Sequence, residues 1–283
     1  MASWERIPWV SATWARIRLL LDASKRFDFD NGFLLSAGIA FTLLLCAIPL
    51  TLLLLALLGT YLFSDREVQF HIQEYLKNAF PTLDPKIMAN ITRIVEDRQI
   101  VGILGLGGLA WTSTWVFSSL RAALNVVFRV EKGRGIFRGK AVDLLLVLLA
   151  GALLLLSMVL TSGVAFFQSY STHFPLDLGI IYQLILKYLI PFLSAFAMFF
   201  LIYQIAPNKR IPLSTALQAT LFTSILWEVA KQLFGWYILH LGRFSVIYGS
   251  LSTLAVVFLW IYYSVVIFLL GAEIAVLLEE KKD

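Results

Sequence analysis

The stretch that decides the fold is residues 32–63, GFLLSAGIAFTLLLCAIPLTLLLLALLGTYLF, in which no residue is charged. A helix of this composition can cross the apolar core of a bilayer, which needs about 20 apolar residues. Six windows of this kind occur along the chain, the fifth only when it is extended past two charged residues. They predict spans near residues 33–63, 101–128, 143–168, 182–205, 213–239 and 248–278. The sequence therefore predicts an all-α integral membrane protein with six transmembrane helices.

The composition of the whole chain agrees with a membrane protein. Apolar residues make up 59% of the 283 residues and charged residues 14%, whereas a soluble domain has about 25% charged residues. A soluble fold of this composition would expose large apolar patches to water. A disordered chain would need low hydrophobicity and high charge. The single cysteine, Cys46, excludes an intrachain disulfide.

The distribution of basic residues predicts the orientation of the spans. Fourteen Lys and Arg residues lie in the segments on one side of the predicted membrane, and six lie on the other side. The connection after the second span has five, and residues 169–181, after the third span, have none. Because short cytoplasmic connections are enriched in Lys and Arg, we expect both termini in the cytoplasm.

Two predicted regions lie outside the spans. Residues 1–30 place apolar side chains at helical spacing beside basic ones, which is typical of a cytoplasmic interfacial helix. Residues 64–99 hold two amphipathic stretches separated by a Pro-containing turn at 81–85, which predicts an external helical hairpin between spans 1 and 2. The remainder, 31–283 with this hairpin inserted, is interpreted as one six-helix membrane domain.

Span 5 carries polar residues on one helical face. Thr220, Ser224, Glu228, Lys231 and Gln232 follow one another at steps of four, four, three and one, so their side chains project in similar directions. Glu228 and Lys231 are three residues apart and can pair, which lowers the cost of burying either charge. Two interpretations stay open for this pair, a structural one and a role with a substrate or proton.

Other cations are predicted near the outer ends of the spans. Lys187 lies near the outer end of span 4, Lys231 in the outer half of span 5, and Arg243 in the following connection, with Tyr237 nearby. Such cations could bind a lipid phosphate or another anion. We therefore take Glu228, Lys231, Lys187, Arg243 and Tyr237 as candidate substrate-binding residues. The alternative for Lys187 and Arg243 is anchoring at the membrane interface.

A second polar set lies toward the cytoplasmic ends of spans 2 and 6. Arg121 and Asn125 share one face of span 2, and Glu273 lies at similar depth in span 6. Their opposite charges predict an Arg121–Glu273 pair with Asn125 beside it, although Arg121 could instead extend to the interface. The glycine-rich run 102–108 is interpreted as a helix-packing surface, not a phosphate-binding loop.

Few residues suggest catalysis or metal binding. The three histidines are scattered without metal-ligand spacing. The sequence has no nucleotide-binding fingerprint and no recognisable pairing of a nucleophile with a base. We therefore expect no catalytic residues, no metal, no cofactor and no enzymatic activity.

Three motifs resemble a known family. They are NGFLLSAGIAF at 31–41 with AIPL at 47–50, WTST at 111–114 with LRAALN at 120–125, and YGSL at 248–251 followed by GAE at 271–273. In this order they are similar to the YihY/virulence factor BrkB family of bacterial inner-membrane proteins, over residues 25–278. One departure is PLSTA at 212–216, where the family pattern has a Gly-Ala pair after the proline. The resemblance implies a six-span protein of the UPF0761 type without a settled biochemical activity.

The resemblance and the polar residues together suggest a function. Some members of this family are linked to serum resistance and others to the handling of envelope lipids. An older ribonuclease name has no support in this sequence. We expect a transporter or permease-like inner-membrane protein that handles a lipid or another amphipathic anion. The alternative is a non-catalytic scaffold of the envelope. Membrane lipids are the expected partners, nucleic acid is not, and a homo-oligomer is possible.

Overall fold

The computed structural model describes residues 8–62, 97–130, 135–171, 188–241 and 251–280. These residues are almost entirely helical, which confirms the all-α prediction. In the described ranges there are seven helices: α1 Pro8–Phe29, α2 Gly32–Leu62, α3 Arg98–Val127, α4 Ile136–Ser171, α5 Ile190–Ile205, α6 Leu213–Leu241 and α7 Leu251–Glu280.

Four of these helices are long and apolar enough to cross a membrane. The apolar segments are Gly32–Leu57 of α2, Gln99–Val127 of α3, Phe137–Gly163 of α4 and Leu254–Glu280 of α7. They correspond to predicted spans 1, 2, 3 and 6. Each is longer than the about 20 residues that a span needs, so the membrane character of the chain is supported by both length and composition.

The fourth and fifth predicted spans differ from these four. The apolar helix α5 has 16 residues, and the first part of predicted span 4 lies outside the described residues. Helix α6 covers predicted span 5 completely but is not among the four long apolar segments, because its polar face lowers its hydropathy. The count of six spans and the cytoplasmic location of both termini therefore stay predictions.

Helix α1 packs against α7 through its C-terminal half. Ala23 is completely buried and contacts Ile274 and Leu277 in a small apolar cluster. Nearby, the two terminal nitrogens of Arg26 donate hydrogen bonds of 2.8 and 2.6 Å to the carboxylate of Glu280. These bonds raise the pKa of the Arg26 guanidinium, so this side chain remains a cation. Helix formation in the predicted interfacial segment is thus confirmed for residues 8–29, and the described contacts attach it to α7.

The predicted external hairpin lies almost entirely outside the described residues. Of its range, 64–99, the structure describes only residues 97–99, and α3 already begins at Arg98. The helical hairpin itself stays a prediction.

The chain divides into two compact units, Phe41–Val116 and the combination of Met1–Ala40 with Phe117–Asp283. Within Phe41–Val116, glycines let α3 approach α2 closely. A Cβ atom at Gly105 would lie 2.9 Å from the backbone nitrogen of Leu53, and one at Gly108 would lie 3.1 Å from Pro49. The glycine-rich run is therefore a helix-packing surface, as predicted. The single six-helix domain stays a prediction.

In the larger unit, α5, α6 and α7 meet at Tyr203. This side chain is fully buried, and its hydroxyl donates a 2.6 Å hydrogen bond to the carbonyl oxygen of Phe268. Because that bond uses its only proton, the hydroxyl of Thr223 donates to Tyr203 over 2.9 Å. The ring of Tyr203 stacks on Phe268 at 4.8 Å. These contacts join the three helices that carry the candidate site.

Candidate functional site

The candidate site is centred on an ion pair within α6. The Lys231 ammonium lies 2.6 Å from Glu228 Oε2, and Gln232 Nε2 donates a 3.1 Å hydrogen bond to Glu228 Oε1. Residues three and four apart on a helix are neighbours on its surface, so one turn of α6 supplies both partners of the carboxylate. The predicted Glu228–Lys231 contact is present, and Gln232 completes it.

An aromatic side chain lies against the cation of this pair. Lys231 Nζ lies 5.3 Å from the centroid of the Trp227 ring, which is within the range of a cation–π interaction. The indole nitrogen of Trp227 donates a 3.2 Å hydrogen bond to the Ser264 hydroxyl of α7. This bond holds the ring in place, so Lys231 has one charged and one aromatic neighbour.

Further aromatic rings extend from Trp227 along α5, α6 and α7. Trp260 lies 5.9 Å from Trp227 and 4.9 Å from Phe234, measured between ring centroids. Phe199 lies 6.1 Å from Trp227 on the α5 side. Tyr237 continues the series at 6.3 Å from Phe234. We call these rings and Trp227 the aromatic wall. It is an apolar surface beside the Lys231 ammonium.

The ion pair is only partly buried by the described residues. The exposed fraction of the side chain is 32% for Lys231 and 22% for Glu228. Both charges can therefore be reached from outside the helix packing, although each already has a partner. An arriving anion could bind the Lys231 ammonium while Gln232 continues to donate to Glu228. In that case Glu228 would keep the hydrogen bond from the neutral Gln232 amide but would lose its counter-charge.

The structure brings together three of the five candidate substrate-binding residues. Glu228, Lys231 and Tyr237 lie on the last four turns of α6, with Tyr237 connected to the pair through the aromatic wall. Lys187 and Arg243 lie outside the described residues, and their role stays a prediction.

The second predicted pair has a different partner in the structure. Arg121 Nη2 lies 3.1 Å from Asp143 Oδ2 of α4, and no described residue donates a hydrogen bond to either carboxyl oxygen of Glu273. The hydroxyl of Ser118 donates to the same oxygen over 2.6 Å, and Lys140 Nζ donates to Ser118 over 3.0 Å. Asp143 is completely buried. Arg121 takes this carboxylate because α4 begins just after α3 ends, so the start of α4 lies beside the last turns of α3.

Asn125 and Glu273, the other two residues of the predicted polar set, have different surroundings. The side-chain oxygen of Asn125 accepts a 2.9 Å hydrogen bond from the backbone nitrogen of Asn208, so it stabilises the connection between α5 and α6. An open cavity of about 300 Å³ lies beside it, lined by Asn125, Val126, Arg129 and Val130. Glu273 is 1% exposed, and the carboxyl of Asp30 lies beside it.

Sequence reasoning did not identify Asp143 as a partner. One signal was present, because Lys140 and Asp143 are three residues apart where the second connection meets predicted span 3. In the described residues, no group of three or more His, Cys, Asp and Glu side chains could hold a metal ion.

Comparison with protein families gives a match over almost the whole chain. Residues 23–283 match the model of the family described as Virulence factor BrkB. The chain belongs to this family. The resemblance stated from the sequence motifs is confirmed. No solved structure matches the chain significantly.

Relatives of this BrkB-family chain are named as membrane proteins. A UPF0761 membrane protein of Cronobacter sakazakii is 30% identical over 96% of this chain and 89% of its own length. One from Psychromonas ingrahamii is 28% identical over 92% of this chain and 87% of its own. One from Pseudoalteromonas atlantica is 27% identical over 88% of this chain and 82% of its own length. The chain is therefore a membrane protein.

Proposed function

We propose that this BrkB-family protein is a transporter or permease-like protein that handles a lipid or another amphipathic anion. The observation that carries the proposal is the partly exposed Lys231 ammonium, held between Glu228 and the ring of Trp227. An amphipathic anion has a charged group that suits Lys231 and an apolar part that suits the aromatic wall. The proposed setting is the bacterial inner membrane with both termini in the cytoplasm, and the role is non-enzymatic and needs no cofactor.

The energetics of the pair support exchange of partners. Charged groups within a membrane are costly unless they are paired. The Glu228–Lys231 pair lowers that cost, and a bound anion would take over the pairing with Lys231. Glu228 would then keep the hydrogen bond from Gln232, at 3.1 Å. The partly exposed position of both charges lets such an exchange occur without separating α6 from α5 and α7.

The second candidate function is a non-catalytic scaffold of the envelope. It is favoured by the fact that the partners of Lys231 are already complete within one helix turn and one ring. In a scaffold, this pair would only keep a polar helix face neutral among apolar neighbours. The two functions differ in whether Lys231 contacts lipid and whether lipid moves across the membrane.

Native mass spectrometry of the full chain with its co-purified lipids tests the lipid contact. We expect an anionic lipid bound in excess over bulk lipid, and roughly tenfold less of it in Lys231→Gln, because hydrogen bonds to charged groups contribute about 1.5–3 kcal/mol. Lys209→Gln is the matched control, since Lys209 is also ion-paired, at 3.0 Å from Glu279, but lies in the connection after α5. Only bulk lipid, unchanged in Lys231→Gln, would contradict the lipid contact.

A second measurement separates transport from the scaffold role. Proteoliposomes containing a fluorescent phospholipid report the movement of lipid between leaflets. We expect faster movement with the wild-type protein and with Lys209→Gln, and slower movement with Lys231→Gln. Retained lipid binding without any movement would favour the scaffold.

A further inference from the structure

Two carboxyl groups face each other where the turn between α1 and α2 meets α7. Asp30 belongs to this turn, and its carboxyl lies beside the carboxyl of Glu273. Glu273 is 1% exposed. Its two oxygens and Asp30 Oδ2 are buried, and no described residue donates a hydrogen bond to any of them. An ionised carboxylate can only accept hydrogen bonds. Two ionised carboxylates in this arrangement would therefore both lack a hydrogen-bond donor.

Of the cations on the elements around this carboxyl pair, Arg26 and Lys209 are paired with other carboxylates. Arg26 of α1 directs its guanidinium to Glu280, with hydrogen bonds of 2.8 and 2.6 Å. Lys209, from the connection between α5 and α6, lies 3.0 Å from Glu279. Arg129, at the end of α3, is exposed and lines the open cavity there. The charges of Arg26 and Arg129 reach Glu273 through space, but neither side chain donates a hydrogen bond to it.

We propose that Asp30 and Glu273 form a proton-binding site, in which the two carboxyl groups share one exchangeable proton. The proton converts one carboxyl into a donor, which can then bond to the other across the pair. It also leaves one negative charge where two would repel each other at short range and away from water. The proton is taken from water and returned to it, so no other reactant is needed. This proposal does not depend on the function proposed for Lys231.

The site lies at the joint between α1 and α7. Asp30 follows directly after α1, whose Ala23 packs on Ile274 and Leu277. With the proton bound, a hydrogen bond between Asp30 and Glu273 adds to this contact. Without it, two like charges lie at the joint. The folded chain thus binds a proton that the unfolded chain releases at neutral pH, so stability falls as the pH rises.

Infrared spectroscopy of the full chain in lipid nanodiscs tests the site directly. A protonated carboxyl has a C=O stretch that is separate from the bands of carboxylates and shifts in deuterated water. We expect this band at neutral pH in the wild type and its loss in Glu273→Gln. Glu279→Gln is the matched control, because Glu279 lies on the same helix but is paired with Lys209. This variant should keep the band.

Asp30→Asn keeps the proposal testable if Glu273→Gln does not fold. The asparagine oxygen can accept a hydrogen bond from a protonated Glu273, which remains buried. The band should therefore persist in Asp30→Asn but shift in frequency, because the partner of the protonated carboxyl is now a neutral amide, and an unshifted band would contradict the shared proton. Thermal unfolding gives an independent readout. Its midpoint should fall with rising pH in the wild type and in Glu279→Gln, and this fall should be smaller in Glu273→Gln.

Three further results would overturn the proposal. The first is the absence of the band at neutral pH in the wild type. The second is a band that persists unchanged in Glu273→Gln. The third is a band that disappears when sodium or potassium ions are added at constant pH, because the site would then hold a metal cation and not a proton.

Discussion

Gly271 lies where α7 contacts both α5 and α6, and its lack of a side chain decides how closely these helices pack. A Cβ atom at this position would overlap Thr223 Oγ1 and lie 2.6 Å from Tyr203 Oη. Both groups are held by hydrogen bonds at the centre of the larger unit. We expect Gly271→Ala to lower the free energy of unfolding by about 1–3 kcal/mol, as overpacking of a core does.

Thermal unfolding in detergent, with Gly235→Ala as the control, measures this effect. Gly235 is also a helical glycine, but a Cβ atom there would meet no described atom within 4 Å. Alanine favours a helix over glycine by up to about 1 kcal/mol, so Gly235→Ala should not destabilise the protein. Equal unfolding midpoints for the two variants would show that the contact at Gly271 is not close.

The Arg121–Asp143 pair predicts a rescue by charge exchange. Asp143 is completely buried, and Arg121 is its nearest guanidinium partner, at 3.1 Å. Removing one partner of a buried pair costs up to about 3–5 kcal/mol, and Lys140 Nζ, 3.9 Å from Asp143 Oδ2, offsets part of this cost when Arg121 is removed. We expect Arg121→Asp and Asp143→Arg each to reduce the yield of folded protein. The double variant should recover much of it, as measured by size-exclusion chromatography of the detergent-solubilised protein.

The partner initially predicted for Arg121 provides the comparison. Combining Arg121→Glu with Glu273→Arg should restore nothing, since Arg121 pairs with Asp143. Recovery in this second combination, and none in the first, would contradict the contact with Asp143. The sequence identified Arg121 as a polar residue that needs a partner. It could not identify the partner, because helical spacing gives the direction of a side chain but not the identity of the facing helix.

At the scale of the helices, the packing of α1 on α7 predicts a difference between two adjacent residues. Ala23 is completely buried in the contact, whereas Ser24 is exposed and its hydroxyl donates to its own helix at Leu20. We expect Ala23→Leu to destabilise the α1 contact by about 1–3 kcal/mol, because the larger side chain has no space.

Hydrogen exchange along α1 measures this change, with Ser24→Leu as the matched control. Protection of the amides of α1 should fall in Ala23→Leu and stay unchanged in Ser24→Leu. The same loss in both variants would show that the effect comes from the leucine itself and not from the contact. The Arg26–Glu280 pair adds less to this contact, since exposed ion pairs contribute about 1 kcal/mol or less.

The helices were easier to predict than their contacts. Predicted span 2 covers 101–128 and α3 covers Arg98–Val127; predicted span 6 covers 248–278 and α7 covers Leu251–Glu280. A continuous apolar run specifies such a helix within a few residues, because lipid leaves no other structure for the backbone. The docking of α1 on α7 had no such signal. Ala23 is a small apolar residue like many others in the chain, and nothing in its spacing indicates α7.

At the scale of the whole molecule, the charged side chains within the apolar helices differ in the kind of neighbour each one has. Glu228 pairs within its own helix turn, and Arg121 pairs with the neighbouring α4. Glu273 instead faces Asp30, an acid like itself. The polar face of α6 both carries the candidate site and lowers the hydropathy of that helix. Whether α6 crosses the membrane therefore decides both the number of spans and the location of the candidate site.

The count of six spans predicts that α6 crosses the membrane. Reporter domains inserted after Arg210 and after Arg243 flank this helix, and the distribution of Lys and Arg places the first in the cytoplasm and the second outside. We expect a reporter that is active only outside the cytoplasm to work after Arg243 and to fail after Arg210. A reporter at the C-terminus should give the cytoplasmic result, because one more span follows.

The same fusions can contradict this topology in two distinct ways. Equal activity after Arg210 and Arg243 would mean that α6 does not cross, so its Glu228–Lys231 pair would lie at a membrane surface, where such a pair costs little. Activity at the C-terminus and after Arg210, with none after Arg243, would keep six spans but reverse their orientation. Only the predicted pattern places the Lys231 ammonium inside the membrane toward its outer side, where an amphipathic anion could exchange with Glu228.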